Sequence, residues 1–369
     1  MKARFPTLRL AVAAATAAAL LLPALIAAPA GAAAPTQPAQ PSSGPGGSDY
    51  THSFTVHAGG TGADAFFVFE PTKPRPQRAP LAVIMHGYGE FSGYETMSGL
   101  IEDTVRKGTV VIYPRWQTGI SEPCPGPFDI EPCIASAVNG IEGGLDYLHS
   151  SPRHVQPQLG KTSYFGFSFG GIVTADMTNR WRDLELPRPR AVFLDDPHDG
   201  GLNGINEPAL DDSLSGIPSS TLFQCHSGAH GVFDDPYTGP GADLEMIGQP
   251  QRDASCNAVF PLLTSIPAEN KDLVLTEEDD HGSPALTSDH GVCTGSQQPG
   301  AEAPADAYDW GFCWKVWEAL RSCALEHNNC RYALGDTAKH RRIGRWSDGV
   351  PIVPLKIADA APIRSSEAR

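Results

Sequence analysis

The sequence predicts an α/β domain: a mostly parallel sheet of eight strands with helices on both faces. Short apolar runs alternate with longer stretches of helical periodicity from about residue 50 to residue 330, which is the pattern of strands joined by crossover helices. Most of those runs are continuously apolar, as strands buried on both faces must be. The span of roughly 280 residues fits one large domain, and no internal repeat divides it.

The strands are read in order as SFTVHA (53–58), AFFVFE (65–70), LAVIMH (81–86), TVVIYP (109–114), SYFGF (163–167), AVFLDD (191–196), STLFQC (220–225) and DLVLTE (272–277). The first two are joined by GGTGAD with no room for a helix, so they are expected to pair as an antiparallel hairpin. Tyr94, Met97, Leu100, Ile101 and Val105 recur at helical spacing and stop at Gly108. Ile134, Val138, Ile141, Leu145 and Leu148 mark a second helix, and IVTADMTNRW a third. A last helix follows the eighth strand around 314–325, with Trp310, Trp314 and Trp317, at four- and three-residue spacing, read as its apolar face.

The flanks differ in kind. Residues 1–34 combine a basic start (Lys2, Arg4, Arg9), an Ala/Leu run broken by Pro23 and a small-residue exit, which reads as a secretory signal peptide and not as a membrane anchor. Residues 35–48 (PTQPAQPSSGPGGS) are expected to form a flexible linker. The folded α/β domain is then expected over 49–331, with 332–369 an extension of unassigned structure.

Charge and cysteine usage agree with export. With 27 Lys+Arg against 42 Asp+Glu the formal charge is −15, which disfavours nucleic-acid partners, since those need fields of basic residues. Eight cysteines follow the leader, an even set that in an oxidising compartment is most simply read as disulfides. Cys124/Cys133 and Cys323/Cys330 are the short-loop pairs expected. No metal is expected, because the cysteines lack metal-ligand spacing and His198, His226 and His230 are scattered.

The segment that carries chemistry is Ser163-Tyr164-Phe165-Gly166-Phe167-Ser168-Phe169-Gly170-Gly171. It is a G-x-S-x-G between a strand and a helix, where a serine on a tight turn presents its hydroxyl above the sheet and the small residues let strand and helix approach. The helix N-terminus adds a positive dipole end beside any developing oxyanion.

This serine after the fifth strand, with a histidine after the eighth, resembles the α/β-hydrolase superfamily over about residues 50–330. The turn His86-Gly87-Tyr88 is similar to the oxyanion turn of secreted esterases, lipases, cutinase-like polyester hydrolases and dienelactone-hydrolase relatives. That resemblance implies Ser168 as nucleophile, with the backbone N–H groups of Tyr88 and Phe169 as the oxyanion hole. It also implies a general base just beyond DLVLTE, where His281 stands; His290, further along, is the rival. The acid is less determined. The turn after the seventh strand, Gln224 to His230, offers no carboxylate. Asp196 is therefore preferred, in a Leu-Asp-Asp-Pro setting similar to that of pancreatic-type lipases, followed by Asp195 and by Asp234.

The expected function is secreted, extracellular hydrolysis of small-molecule or polymeric carboxylic esters by a serine esterase or lipase working through an acyl-enzyme. No cofactor, stable membrane anchor or oligomeric partner is expected, so the protein is taken as a monomer. Two other readings stay open: an acyltransferase using the same triad, and a binding protein of the same fold that has no activity.

Overall fold

Strand β3 (Arg78–Met85) shows how the sheet divides the core. Leu81, Val83 and Met85 point to one face and Ala82 and Ile84 to the other, and all five are buried, because successive side chains alternate across a strand. A continuous apolar run is thus two half-runs, each facing its own layer of helices.

The computed structural model describes residues 33–120, 124–126, 130–198, 210–228 and 256–358. The expected signal peptide lies outside them except for Ala33 and Ala34, as does Asp234. The other strands are β1 (Ser53–Gly59), β2 (Phe66–Thr72), β4 (Val110–Pro114), β5 (Gln156–Phe167), β6 (Pro189–Asp195), β7 (Leu222–Ser227), β8 (Lys271–Leu275) and β9 (Lys356–Ala358). They form one sheet in the order β1-β2-β4-β3-β5-β6-β7-β8-β9.

The expected hairpin is present: β1 pairs antiparallel with β2, which also runs antiparallel to β4. From β4 through β3 to β8 all pairings are parallel. The sheet is therefore mixed, and it has the α/β-hydrolase fold: a parallel core entered through an antiparallel edge, with the serine turn after β5. The ninth strand corrects the expected eight. It comes from the extension that begins at residue 332, and it closes the far edge antiparallel to β8.

Helices α1 (Ser98–Arg106) and α5 (Trp314–Glu326) cover one face, burying Leu100, Ile101, Val105, Trp314 and Trp317. Gly108, at φ +90°, takes the left-handed turn that stops the chain continuing as α1. Helices α2 (Ile130–His149), α3 (Phe169–Asn179) and the short α4 (Cys256–Leu262) cover the other, with Ile134, Ile141, Ile172, Val173 and Val259 inside. Four disulfides, Cys124–Cys133, Cys225–Cys256, Cys293–Cys313 and Cys323–Cys330, use every cysteine.

Both expected domain boundaries move outward. Residues 35–48 are not a free linker but a strap seated on the body. Ser283 N–H donates to the Pro35 carbonyl (2.8 Å) and Ser347 N–H to that of Thr36 (2.9 Å), while Ala307 N–H donates to Gln37 Oε1 (3.0 Å) and Gly46 N–H to Glu318 Oε2 (2.9 Å). The Pro/Gly/Ser composition suggests flexibility, but prolines have little freedom to lose on ordering, and the Pro35 and Thr36 carbonyls find donors on the body. The tail is folded as well, through the one-turn helix α6 (Ala338–Arg341) and β9. Trp346 is its buried anchor, and both its indole N–H (3.1 Å) and Val353 N–H (2.8 Å) donate to Asp279 Oδ2.

Candidate active site

Ser168 stands between the end of β5 and the start of α3 with φ 53° and ψ −128°, a conformation costly for any residue with a side chain and found where function demands it. Sterics enforce the tightness of the turn. A Cβ on Gly166 would come within 2.4 Å of the Gly170 carbonyl oxygen, and one on Gly170 within 2.1 Å of the His86 carbonyl oxygen. The serine backbone is tied down on both sides: its N–H donates to the Asp195 carbonyl (2.9 Å), and its own carbonyl accepts from Gly171 N–H (2.8 Å).

The imidazole facing Ser168 belongs to His290, whose Nε2 lies 2.8 Å from Ser168 Oγ while its Nδ1 lies 2.7 Å from Asp196 Oδ2. A carboxylate can only accept, so Nδ1 carries the proton and Nε2 is left to accept the serine O–H. Asp196 is buried, and the His290 side chain is 30% exposed. Burial works against the imidazolium of His290, but Asp196, together with Asp195 and Glu90, more than offsets it and raises the group above its ordinary value.

His281, the expected base, is elsewhere. Its Nε2 pairs with Asp348 Oδ2 at 2.7 Å, on the surface. The reason is local. Asp279 and Leu286 exchange backbone hydrogen bonds (3.0 and 2.9 Å), so the chain beyond β8 doubles back on itself, turns His281 toward the tail and delivers His290 to the serine. The runner-up acid, Asp195, also faces away from His290: its Oδ1 lies 2.6 Å from His226 Nδ1.

Tyr88 and Phe169 flank the serine, their rings 6.1 Å apart. Phe169 opens α3, so its N–H has no partner within the helix, and the Tyr88 N–H has no acceptor among the described residues. The turn that carries Tyr88 is braced by Gly87 N–H donating to Glu90 Oε2 and Gly89 N–H to Gln117 Oε1, each at 2.9 Å. Buried beneath it, the His86 imidazole stacks on Trp116 with centroids 4.8 Å apart, and burial lowers its pKa to about 4. Trp116 and Tyr113 are fully buried packing residues. Burial pushes the Glu90 carboxyl above its usual range, against the pull of Gly87 N–H and His290.

These groups open onto a cavity of about 310 Å³, lined among the described residues by Tyr88, Glu90, Phe167, Ser168, Asp289, His290 and close neighbours. No lysine or arginine is in that lining. The donor atoms of Asp195, His226 and Cys293 lie within 4.8 Å of one another, but the Cys293 sulfur is bonded to Cys313 and is not available as a thiolate ligand.

No protein-family model matches the chain, and no curated protein matches it in sequence. Among solved structures it is similar to a variant of the esterase rPPE (15% identity, TM-score 0.33, covering 55% of this chain and 54% of that one). It is also similar to carboxyl esterase 2 of the mycorrhizal fungus Tuber melanosporum (16%, TM-score 0.30, 40% and 46%) and to an esterase of Rhizomucor miehei (13%, TM-score 0.31, 41% and 46%). The chain thus spans about half the length of the structures it matches. Overlaps this slight assign neither substrate nor mechanism.

Proposed function

We propose that the chain is a secreted serine hydrolase that cleaves carboxylic esters through an acyl-enzyme. One observation carries the reading: Ser168 Oγ, His290 and Asp196 are in hydrogen-bond series, at 2.8 and 2.7 Å, on a strained turn at the rim of an open cavity. Ser168 Oγ attacks the ester carbonyl while its proton passes to His290 Nε2, and Asp196 stabilises the imidazolium. The N–H groups of Tyr88 and Phe169 receive the oxyanion, each being worth about 2.7–4 kcal/mol of barrier. His290 returns the proton to the departing alcohol, then takes one from the water that releases the acid.

Secretion is supported by the leader-like composition of 1–34 and by the four disulfides, which persist in oxidising compartments. Among the described residues no helix is long and apolar enough to cross a membrane. The decisive experiment is hydrolysis of p-nitrophenyl esters from acetate to palmitate by the mature protein. Turnover that vanishes in Ser168→Ala supports the reading; a wild type inert on every ester, or a Ser168→Ala variant as fast as wild type, overturns it.

A further inference from the structure

Behind the proposed triad lies a second chain of polar side chains that the reaction does not use. Asp195 Oδ1 is 2.6 Å from His226 Nδ1, His226 Nε2 is 2.9 Å from Thr276 Oγ1, and Thr276 Oγ1 is 2.7 Å from Ser288 Oγ. All four side chains are buried. The first two face each other across the β6–β7 register, Thr276 follows β8 directly, and Ser288 lies two residues before His290. The chain therefore crosses the ends of three successive parallel strands and finishes in the loop that bears the base.

Its backbone touches the other triad members as well. The Asp195 carbonyl accepts from Ser168 N–H and the His226 carbonyl from Asp196 N–H, both at 2.9 Å. The donors also fall into one order: with Asp195 ionised, His226 Nδ1–H donates to it, Nε2 accepts the Thr276 O–H, and Thr276 Oγ1 accepts from Ser288. Each of the four side chains is hydrogen-bonded to the next, with Asp195 Oδ2 left without a partner among the described residues, and a buried network joined in this way favours one arrangement of the elements it links. That matters here because the loop from Thr276 to His290 has no helix or strand, only the Asp279–Leu286 bridge, yet must hold Nε2 within hydrogen-bond reach of Ser168.

We infer that Asp195, His226, Thr276 and Ser288 form a positioning relay that fixes the His290 loop against Ser168, with Thr276 as its indispensable link. The inference rests on the triad reading above. It concerns residues that act through His290 and never touch substrate.

The test uses the full mature protein, with Thr276→Val to remove the hydroxyl at nearly constant shape and Thr276→Ser to restore it. The readouts are kcat and KM on a p-nitrophenyl ester, the rate at which a fluorophosphonate labels Ser168, and the melting temperature, with rates taken where each variant is folded. A displaced base predicts a fall in kcat on the order of 10- to 100-fold with KM little changed, labelling slowed in parallel, and both recovered in Thr276→Ser. A valine variant that melts lower but keeps wild-type kcat and labelling overturns the relay, and so does a serine variant as slow as the valine one. Should Thr276→Val not fold, Ser288→Ala cuts the last link and is held to the same outcomes. A wild type that neither turns over esters nor labels removes the triad, and the relay with it.

Discussion

Asp195 and Asp196 are consecutive residues whose carboxylates serve different imidazoles: Asp195 meets His226 at 2.6 Å and Asp196 meets His290 at 2.7 Å. The split follows from the backbone. Asp195 is the last residue of β6 and lies in register with His226 of β7, whereas Asp196 turns out of the strand at φ 43°. Two neighbouring carboxylates therefore have separable roles. Asp196→Asn should lower kcat on the order of 10⁴-fold by stabilising the wrong tautomer of the base, and Asp195→Asn should lower it far less. Equal losses, measured as kcat on one ester, would contradict this division.

The position of the base is equally open to test. His290→Ala should reduce kcat by several orders of magnitude, about as far as Ser168→Ala, because members of a triad fail as a unit. His281→Ala, which cuts an exposed pair with Asp348, should leave kcat within about twofold of wild type, since exposed pairs carry little energy. The reverse ranking would return His281 to the site.

The charges around His290 set the pH profile. Burial disfavours its charged form, but Asp196, Asp195 and Glu90 together hold its pKa above the ordinary 6.5, with the His198 ring 6.3 Å away and Asp289 adjacent in the chain. Catalysis needs the neutral imidazole. The profile of kcat/KM should therefore lose activity as pH falls through a value above that of a free imidazole. Glu90→Gln removes one of the three negative charges while keeping an acceptor for Gly87 N–H, so its acid limb should move to lower pH. An unmoved or upward-shifted limb would count against Glu90 as a source of that field.

Charge also bears on what enters the cavity. Its described lining carries the carboxylates of Glu90 and Asp289 and no fixed cation, so an anionic ester meets like charge where water is partly excluded. Neutral and cationic esters of matched size, such as a butyryl ester and a choline ester, should be hydrolysed with higher kcat/KM than a hemisuccinate. Glu90→Gln should narrow the gap. Preference for the hemisuccinate would mean that this lining does not control selection.

The Cys225–Cys256 disulfide joins the middle of β7 to the first residue of α4. Replacing both cysteines with alanine should cost about 2–4 kcal/mol of stability, by the loop-closure argument for a bridge of this span. Chemical denaturation at neutral pH would measure it, and a loss below about 0.5 kcal/mol would show that packing alone holds α4 to the sheet.

Much of the fold was legible because it depends on local patterns. Apolar runs located all eight strands from β1 to β8, and G-x-S-x-G located the serine turn, since both are written in consecutive residues. What the sequence concealed depends on pairing between distant segments. Asp279 and Leu286 look like ordinary loop residues, yet their bridge decides which histidine reaches Ser168. His226 looks scattered until the β6–β7 register sets it opposite Asp195. One clue was available: His290 lies three residues before Cys293, whose disulfide to Cys313 anchors that end of the loop beside α5, whereas no cysteine lies close to His281.

The strap over 35–48 has a consequence for timing. Thr36 is among the first described residues, and its partner Ser347 is 311 positions later, while Pro35 and Gln37 bind Ser283 and Pro284 on the loop that carries His290. Contacts this distant in sequence close late in folding, since the chain between them must first be ordered. Thr36 is thus synthesised 311 residues ahead of the serine it pairs with. Full seating of the strap thus waits on the tail, and a chain halted before residue 347 would carry Ser168, Asp196 and His290, and the strap contacts to Ser283 and Pro284, but would lack the Ser347 anchor.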